Sequence, residues 1–191
     1  MPQGEANFTF CGLRASELRG LTWADVDLDR AELHVRQRAD RYSEIGAPKS
    51  EAGQRSIPML PMVVNALRQW KLASPDTSGL IFPGRHGKPL AYGAVIRFHR
   101  HPVQLRAGLV VAGEDGKPSP KYPGLHALRH FFASWCINRV RDGGLELPLK
   151  LVQGRLGHSS IQMTADRYGH LFPRADDAAE LAAAGRAFLV V

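Results

Sequence analysis

Between Val111 and Gly124 the sequence reads VAGEDGKPSPKYPG, a run of Gly, Pro, Ser and charge with no apolar period. Neither a helical stripe nor an alternating strand can be drawn through it, so a flexible surface loop is expected there. The run divides the chain into a sheet-bearing half and a helical half. A chain of 191 residues, 44% hydrophobic and 23% charged, is long enough to bury a sizeable core and should form one domain or slightly more.

In the first half, Leu13, Glu17, Leu18 and Leu21 fall at mixed helical spacings, and Arg14 and Glu17 would share one helical face. Thr22 can then begin a tight turn through TWADVD. From Glu32 to Arg36, apolar Leu33 and Val35 alternate with His34 and Arg36, which predicts a strand, and QRSIP from Gln54 reads as a second. Lys49 lies between the two, where Pro48, Ser50 and Gly53 favour a turn, so a hairpin loop would carry its ammonium. Pro61 suits a first helical position, and Val63, Val64, Leu67 and Trp70 recur at helical spacing up to the breaker Pro75. GLIFPG around Ile81 is a candidate third strand. A helix should run from Ala91 to about Arg100, with Pro102 restarting or kinking it.

In the second half, Leu128, Phe131, Phe132 and Trp135 make a helical stripe. Pro148 opens another helix carrying Leu149, Val152 and Leu156, and Gly157 ends it just before His158. Ser159 or Ser160 can cap the next short helix, which delivers Tyr168. The alanine-rich run from Ala178 to Ala187 has high helix propensity.

A formal charge of +7 and a pI near 9.8 favour a polyanionic partner, because cations that neutralise phosphates release condensed counterions on binding. Cys11 and Cys136 lie far apart and belong to no CxxC or zinc-like set, so neither a disulfide framework nor a structural metal is indicated, and a reducing cytoplasm is the simplest setting. The first residues, MPQGEANFTF, contain no basic segment followed by an apolar run, which disfavours secretion, and no uninterrupted apolar stretch suits a membrane span.

Several polar motifs occur in a fixed order: GLRASEL with Arg14, PKSEAGQRSIP with Lys49, HALRH with His126, Arg129 and His130, LGHSS with His158, and DRYGH with Tyr168. Together they resemble the active-site signature of the tyrosine recombinases, or phage integrases, over a stretch from about Cys11 to Phe172. The resemblance implies a mainly α-helical catalytic domain with a small antiparallel sheet beside the DNA, an α+β fold of the DNA breaking-rejoining type. It implies site-specific recombination of double-stranded DNA through a 3′-phosphotyrosyl intermediate, with no metal or other cofactor, in a homotetramer on DNA. Integration or excision of a mobile element or prophage is the corresponding biology.

The roles the resemblance implies agree with what the chemistry needs. Attack on a phosphodiester without metal requires fixed cations where charge grows on the non-bridging oxygens. Arg14 and Arg129 suit this, because guanidinium is a planar fork of donors that stays protonated. Tyr168 is the candidate nucleophile, and its proton must be removed; His126, one helical turn from Arg129, is the candidate base. Lys49 would protonate the leaving 5′ oxygen, His158 would donate to a non-bridging oxygen, and Glu17 would orient a catalytic Arg or His. His126 and His130 also have the i, i+4 spacing of a helical metal pair, but no HExxH is present and no third ligand is marked, so His130 reads as a structural or orienting residue. Arg97, His99, Arg100 and His101 are either a DNA-backbone patch or a solvated helix face.

The front of the chain departs from the family pattern. Family catalytic domains have apolar helices before the arginine motif and a separate clamping domain before those, whereas MPQGEAN is polar and Cys11-Gly12 replaces the usual Thr-Gly. The expected organisation is therefore residues 1–174 as a catalytic domain lacking its first helices, residues 175–191 as a helical tail, and no N-terminal core-binding domain. The tail would dock on a neighbouring subunit or on its own domain. Apolar surface around Phe8, Phe10 and Leu13 would be left uncovered. Two other readings compete: a catalytically impaired remnant that only binds DNA, and a metal hydrolase built on His126 and His130.

Overall fold

The computed structural model describes residues 9–74, 79–172, 182 and 185–186. The expected tail at 175–191 and Phe8 thus lie outside the described residues, apart from 182, 185 and 186. Element order follows the two halves marked by the sequence. A turn at Thr9–Cys11 leads into a short helix, α1 (Ala15–Arg19), and another turn at Trp23–Asp25, capped by Thr22, leads into β1 (Val26–Asp27). Next come β2 (Glu32–Val35), β3 (Arg38–Ala39), β4 (Ile45–Gly46), a turn at Glu51–Gly53, β5 (Arg55–Pro58) and the helix α2 (Pro61–Ala73).

β1, β2 and β5 form one antiparallel sheet in that order, with Leu33 facing Val26 on one side and Ile57 on the other. The third strand is therefore β1 and not GLIFPG. Leu80 forms an isolated bridge to Thr22, while Ile81 donates its amide to Leu21 and is fully buried. Its apolar run serves the core without joining a ladder. Leu33, Val35 and Ile57 meet Val63, Val64 and Leu67 of α2 in a first core, to which Cys11, Leu13 and Leu21 also belong.

β3 and β4 form a small hairpin inside the long β2–β5 connection. Arg19, 4% exposed, clamps it by donating to the carbonyls of Leu90 and Asp40 and to the Ser43 hydroxyl. This anchors one end of the loop that carries Lys49.

Helical residues 92–106, termed α3, run through Tyr92–Ala94, Val95–Arg100 and His101–Arg106 without interruption. Pro102 lies in the first turn of the last section, so α-helical geometry restarts at the proline as expected, after a π-helical middle section. A wider turn just before a proline accommodates its ring and missing amide donor while the helix continues. The segment read as a loop contains a two-stranded ribbon, β6 (Val110–Ala112) with β7 (Pro118–Pro120), closed by Gly113 donating to Lys117. Prolines mask such a strand in sequence, yet an isolated ribbon has outer edges where a missing amide costs nothing.

The second half holds α4 (His126–Ile137), α5 (Leu149–Leu156) and α6 (Ile161–Tyr168), which enclose a second core of Phe132, Ala133, Cys136, Ile137, Val152, Leu156 and Tyr168. The apolar stripe of α4 is rotated from the expected one: Phe132 is buried, whereas Phe131 is 50% exposed. Phe131 is met edge-on by Phe10, which also packs on Trp135, and Leu13 is only 9% exposed. Phe10 and Leu13 are thus held by contacts within the chain, contrary to the expectation that they lie uncovered. No helix among the described residues is long and apolar enough to cross a membrane.

Candidate active site

Arg14 stands at the N-cap of α1, where Glu17 accepts from its backbone amide at 2.8 Å and from Nη1 at 2.7 Å. An N-terminal carboxylate satisfies an amide with no helical partner, so this pairing follows from the spacing R-A-S-E. Nη2 of Arg14 crosses to the second half of the chain and donates to the Gly157 carbonyl at 2.8 Å. Arg55 approaches Glu17 from β5, with Nη2 2.9 Å from Oε2 and Nη1 3.2 Å from Oε1, and its Nε donates to the Arg155 carbonyl. Glu17 is 2% exposed. Burial alone would raise its pKa, but the hydrogen bonds and charge of Arg55, with those of Arg14, outweigh this and hold the carboxyl below its ordinary value.

Arg129 projects from α4 and is 2% exposed, with Nη1 donating to the Gly12 carbonyl at 2.6 Å and Nη2 to the Leu156 carbonyl. No carboxylate pairs with it among the described residues. Burial first, then the neighbouring cations Arg14 and Arg55, push its pKa down to about 9. The group is still cationic at neutral pH, so the fold holds a positive charge partly uncompensated. Such a charge is costly unless an anion arrives. Leu156 and Gly157 end α5, so the two arginines are held at a helix C-terminus, where exposed carbonyls and the helix dipole favour cations.

The two glycine carbonyls depend on left-handed backbone. Gly157 has φ 63 and Gly12 φ 60, and a Cβ at either would strike a neighbour: Ala52 O at 2.7 Å and Phe132 Cδ1 at 2.3 Å, respectively.

Tyr168 ends α6 and is 3% exposed, its hydroxyl 2.8 Å from Nδ1 of His130. His126, one turn earlier on α4, lies on the exposed side and meets His130 edge-to-face at 4.6 Å between ring centroids. It is therefore His130, and not His126, that touches the phenol. His158 stacks parallel to the Tyr168 ring at 6.4 Å, and its Nδ1 lies 2.9 Å from Oγ1 of the fully buried Thr164. Thr164 and Tyr168 are four positions apart, which places both on one face of α6.

Burial and then Arg129 and Arg14 push His158 down to about 4. Burial and the adjacent arginines likewise lower His126 and His130. Burial raises the Tyr168 phenol, partly offset by Arg129 and Arg167. At neutral pH the histidines are neutral and the phenol protonated, ready to exchange hydrogen bonds without adding charge.

Lys49 is exposed in the loop between β4 and Glu51–Gly53, and no hydrogen bond or ion pair joins it to the others. The structure brings together Arg14, Glu17, Arg129, His126, His130, His158 and Tyr168, and leaves Lys49 outside that cluster. Sequence reasoning overlooked Arg55, Thr164 and Arg167. Arg55 had a readable signal, since strand alternation puts it on the same face as fully buried Ile57. Of the basic patch on α3, Arg97 is exposed and His101 is engaged with the Pro123 carbonyl. Among the described residues no group of three or more His, Cys, Asp or Glu side chains could hold a metal ion, so the His126 and His130 pair has no third ligand there.

The sequence model of the Phage integrase family matches residues 8–174. A tyrosine recombinase XerC of Xylella fastidiosa (strain 9a5c) is 34% identical over 165 residues, covering 86% of this chain and 46% of that protein. A XerC-like tyrosine recombinase of Caldanaerobacter subterraneus is 27% identical over 188 residues, covering 85% of this chain and 44% of its own length. The chain thus spans a little under half the length of these relatives. Among solved structures, the Tn1549 transposon integrase in complex with circular intermediate DNA superposes with a TM-score of 0.62 at 26% identity, covering 94% of this chain and 57% of that one. The XerA recombinase shares the fold at a TM-score of 0.58 and 22% identity, covering 88% of this chain and 57% of that one.

Proposed function

Because this chain belongs to the phage integrase family, whose catalytic-domain fold it shares, we propose that it cleaves and rejoins double-stranded DNA at a specific site through a 3′-phosphotyrosyl bond on Tyr168. The observation that carries this reading is the buried guanidinium of Arg129, fixed by two carbonyls, without a carboxylate partner among the described residues, and close to the Tyr168 phenol. A fixed cation with spare donors is complementary to a phosphodiester whose non-bridging oxygens gain charge during attack.

In this reading Arg14 and Arg129 bind the scissile phosphate, and His158, kept neutral, donates its remaining N–H to a non-bridging oxygen. Tyr168 attacks phosphorus, the bond to the 5′ oxygen breaks, and Lys49 on its exposed loop supplies the proton when DNA orders that loop. His126 faces the phosphate from the head of α4. Glu17 and Arg55 hold Arg14 in place. The arginines supply the positive charge that a metal would otherwise bring. Exchange between two duplexes requires four strand cleavages, so a homotetramer on DNA belongs to the proposal.

The test uses the purified, folded chain and a randomised library of nicked duplexes whose cleaved fragment diffuses away and traps the covalent adduct, read on a denaturing gel. An adduct that persists in EDTA and is lost in Tyr168→Phe is expected. EDTA sensitivity would overturn the metal-free chemistry, and salt-sensitive DNA binding without any adduct would favour the DNA-binding remnant.

A further inference from the structure

We propose that His130, and not His126, accepts the proton of Tyr168 when its phenol attacks DNA, because the Tyr168 hydroxyl lies 2.8 Å from His130 Nδ1 while His126 stands behind the His130 ring. The inference rests on the DNA-cleavage reading and assigns one of its proton transfers.

The geometry has the properties that proton acceptance needs. The two atoms are at hydrogen-bond distance before substrate arrives, and in the tautomer this proposal requires, with the ring proton on Nε2, the half-buried imidazole offers its Nδ1 lone pair along that contact. The groups facing His130 are His126 and Arg129 from its own helix, and Arg167 and Tyr168 from α6. Burial and the two arginines keep the imidazole neutral at neutral pH, so the acceptor form dominates. The same cations disfavour the imidazolium formed by transfer. That cost falls when a phosphate neutralises Arg129, which ties proton removal to the presence of DNA.

The step balances without an added reagent. The O–H bond of Tyr168 breaks and its proton moves to Nδ1, giving an imidazolium. The electron pair left on the phenolic oxygen forms the bond to phosphorus. The bond from phosphorus to the 5′ oxygen breaks, and that oxygen takes a proton from the general acid. On rejoining, the 5′ hydroxyl gives its proton back to the general acid and attacks phosphorus, the bond from phosphorus to the Tyr168 oxygen breaks, and Nδ1 returns its proton to the departing phenolic oxygen.

Two measurements test this. His130→Asn keeps a side-chain oxygen near the position of Nδ1, so it preserves the hydrogen bond but cannot take up a proton. Single-turnover adduct formation on the nicked-duplex library, followed against pH for the wild type, His130→Asn and His126→Asn, should show a loss of about 10²- to 10⁴-fold in His130→Asn. The fall in wild-type rate toward acid pH should vanish in His130→Asn and persist in His126→Asn. A His130→Asn protein that cleaves at the wild-type rate with the acid limb intact would overturn the inference while leaving DNA cleavage standing. Absence of an adduct in the wild type would overturn the reading beneath it, and this proposal with it. Independently of cleavage, ¹⁵N NMR of the histidine rings at neutral pH should show His130 Nδ1 unprotonated and perturbed by Tyr168→Phe. A proton resident on Nδ1 overturns the proposal whether or not the chain cleaves DNA.

Discussion

The guanidinium of Arg129 donates to the carbonyl of Gly12, 117 residues earlier in the chain. Arg14 makes the reverse crossing to the carbonyl of Gly157, 143 residues later. Each half of the chain therefore orients the arginine of the other, and the two phosphate-binding groups of the proposed mechanism become correct only when both cores have docked.

Gly12→Ala tests this crossing. An alanine at φ 60 would place Cβ 2.3 Å from Phe132 Cδ1. The backbone conformation costs about 1–2 kcal/mol, and overpacking against Phe132 adds roughly 1–3 kcal/mol. The melting temperature should fall by roughly 4–20 °C, since each kcal/mol shifts a domain of this size by about 2–4 °C. An unchanged melting temperature would show that the turn can move away from Phe132, and the crossing would then not be rigid.

The motif residues were legible because each sits beside a strong local signal: Arg14 before the Glu17 cap, Gly157 at a left-handed helix end, and Tyr168 at the end of a capped short helix. What periodicity could not decide was which side of α4 turns inward. His126, Arg129 and His130 all lie within one helical turn or just beyond it, and only the docking of Thr9–Cys11 against α4 rotates Arg129 inward and leaves His126 outside. The partner of the Tyr168 hydroxyl was therefore beyond sequence reach. Arg55 was missed for another reason. Apolar alternation marks its strand, and nothing in that pattern ties an inward-facing cation to a carboxylate 38 residues earlier. The ribbon at β6 and β7 stayed hidden because its prolines oppose strand formation everywhere except at an edge.

Arg55 should matter for stability as well as for orientation. Its side chain is 6% exposed and that of Glu17 3%; removing one partner of a buried pair costs about 3–5 kcal/mol when the other is left uncompensated, and because Glu17 keeps its contacts to Arg14 the loss should fall toward the low end of that range. Arg55→Met is therefore expected to unfold at clearly lower denaturant concentration. The double variant Arg55→Met with Glu17→Gln should be less destabilised than the sum of the two single changes. Strict additivity in a denaturant-melting cycle would count against the coupling.

Thr164 should act through His158. In the proposed mechanism the Thr164 hydroxyl donates to Nδ1 across their 2.9 Å contact, which fixes the imidazole with its proton on Nε2, ready to donate a hydrogen bond to a phosphate oxygen. Thr164→Val preserves shape but strands a buried ring nitrogen, a penalty of about 1–3 kcal/mol, and adduct formation should fall by roughly tenfold or more. Thr164→Ser should restore most of the rate, because the hydroxyl returns while the lost methyl is irrelevant to the tautomer. Equal activity of the valine and serine variants would show that His158 is oriented by something else.

Acid should destabilise this fold in two stages, and the order follows from the signs of the shifts. His158 has a folded pKa of about 4, below its ordinary 6.5, so the unfolded chain binds the proton more readily. Stability is unaffected above the unfolded value, declines as pH drops from 6.5 toward 4, and gains no further loss from this group below that. Glu17 works lower on the scale. Its carboxyl is held below the ordinary 4.5, so its contribution is complete above that value and is lost as pH falls through the folded pKa. Melting temperatures measured across this range should therefore decline first through the histidine window and then again under more acid conditions. His158→Asn should reduce the first decline, to which the lowered His126 and His130 also contribute, and leave the second, whereas Glu17→Gln should remove the second. A His158→Asn profile parallel to the wild type throughout would mean that the folded ring titrates like the unfolded one, and the burial and arginine charge invoked to keep it neutral would not be acting on it.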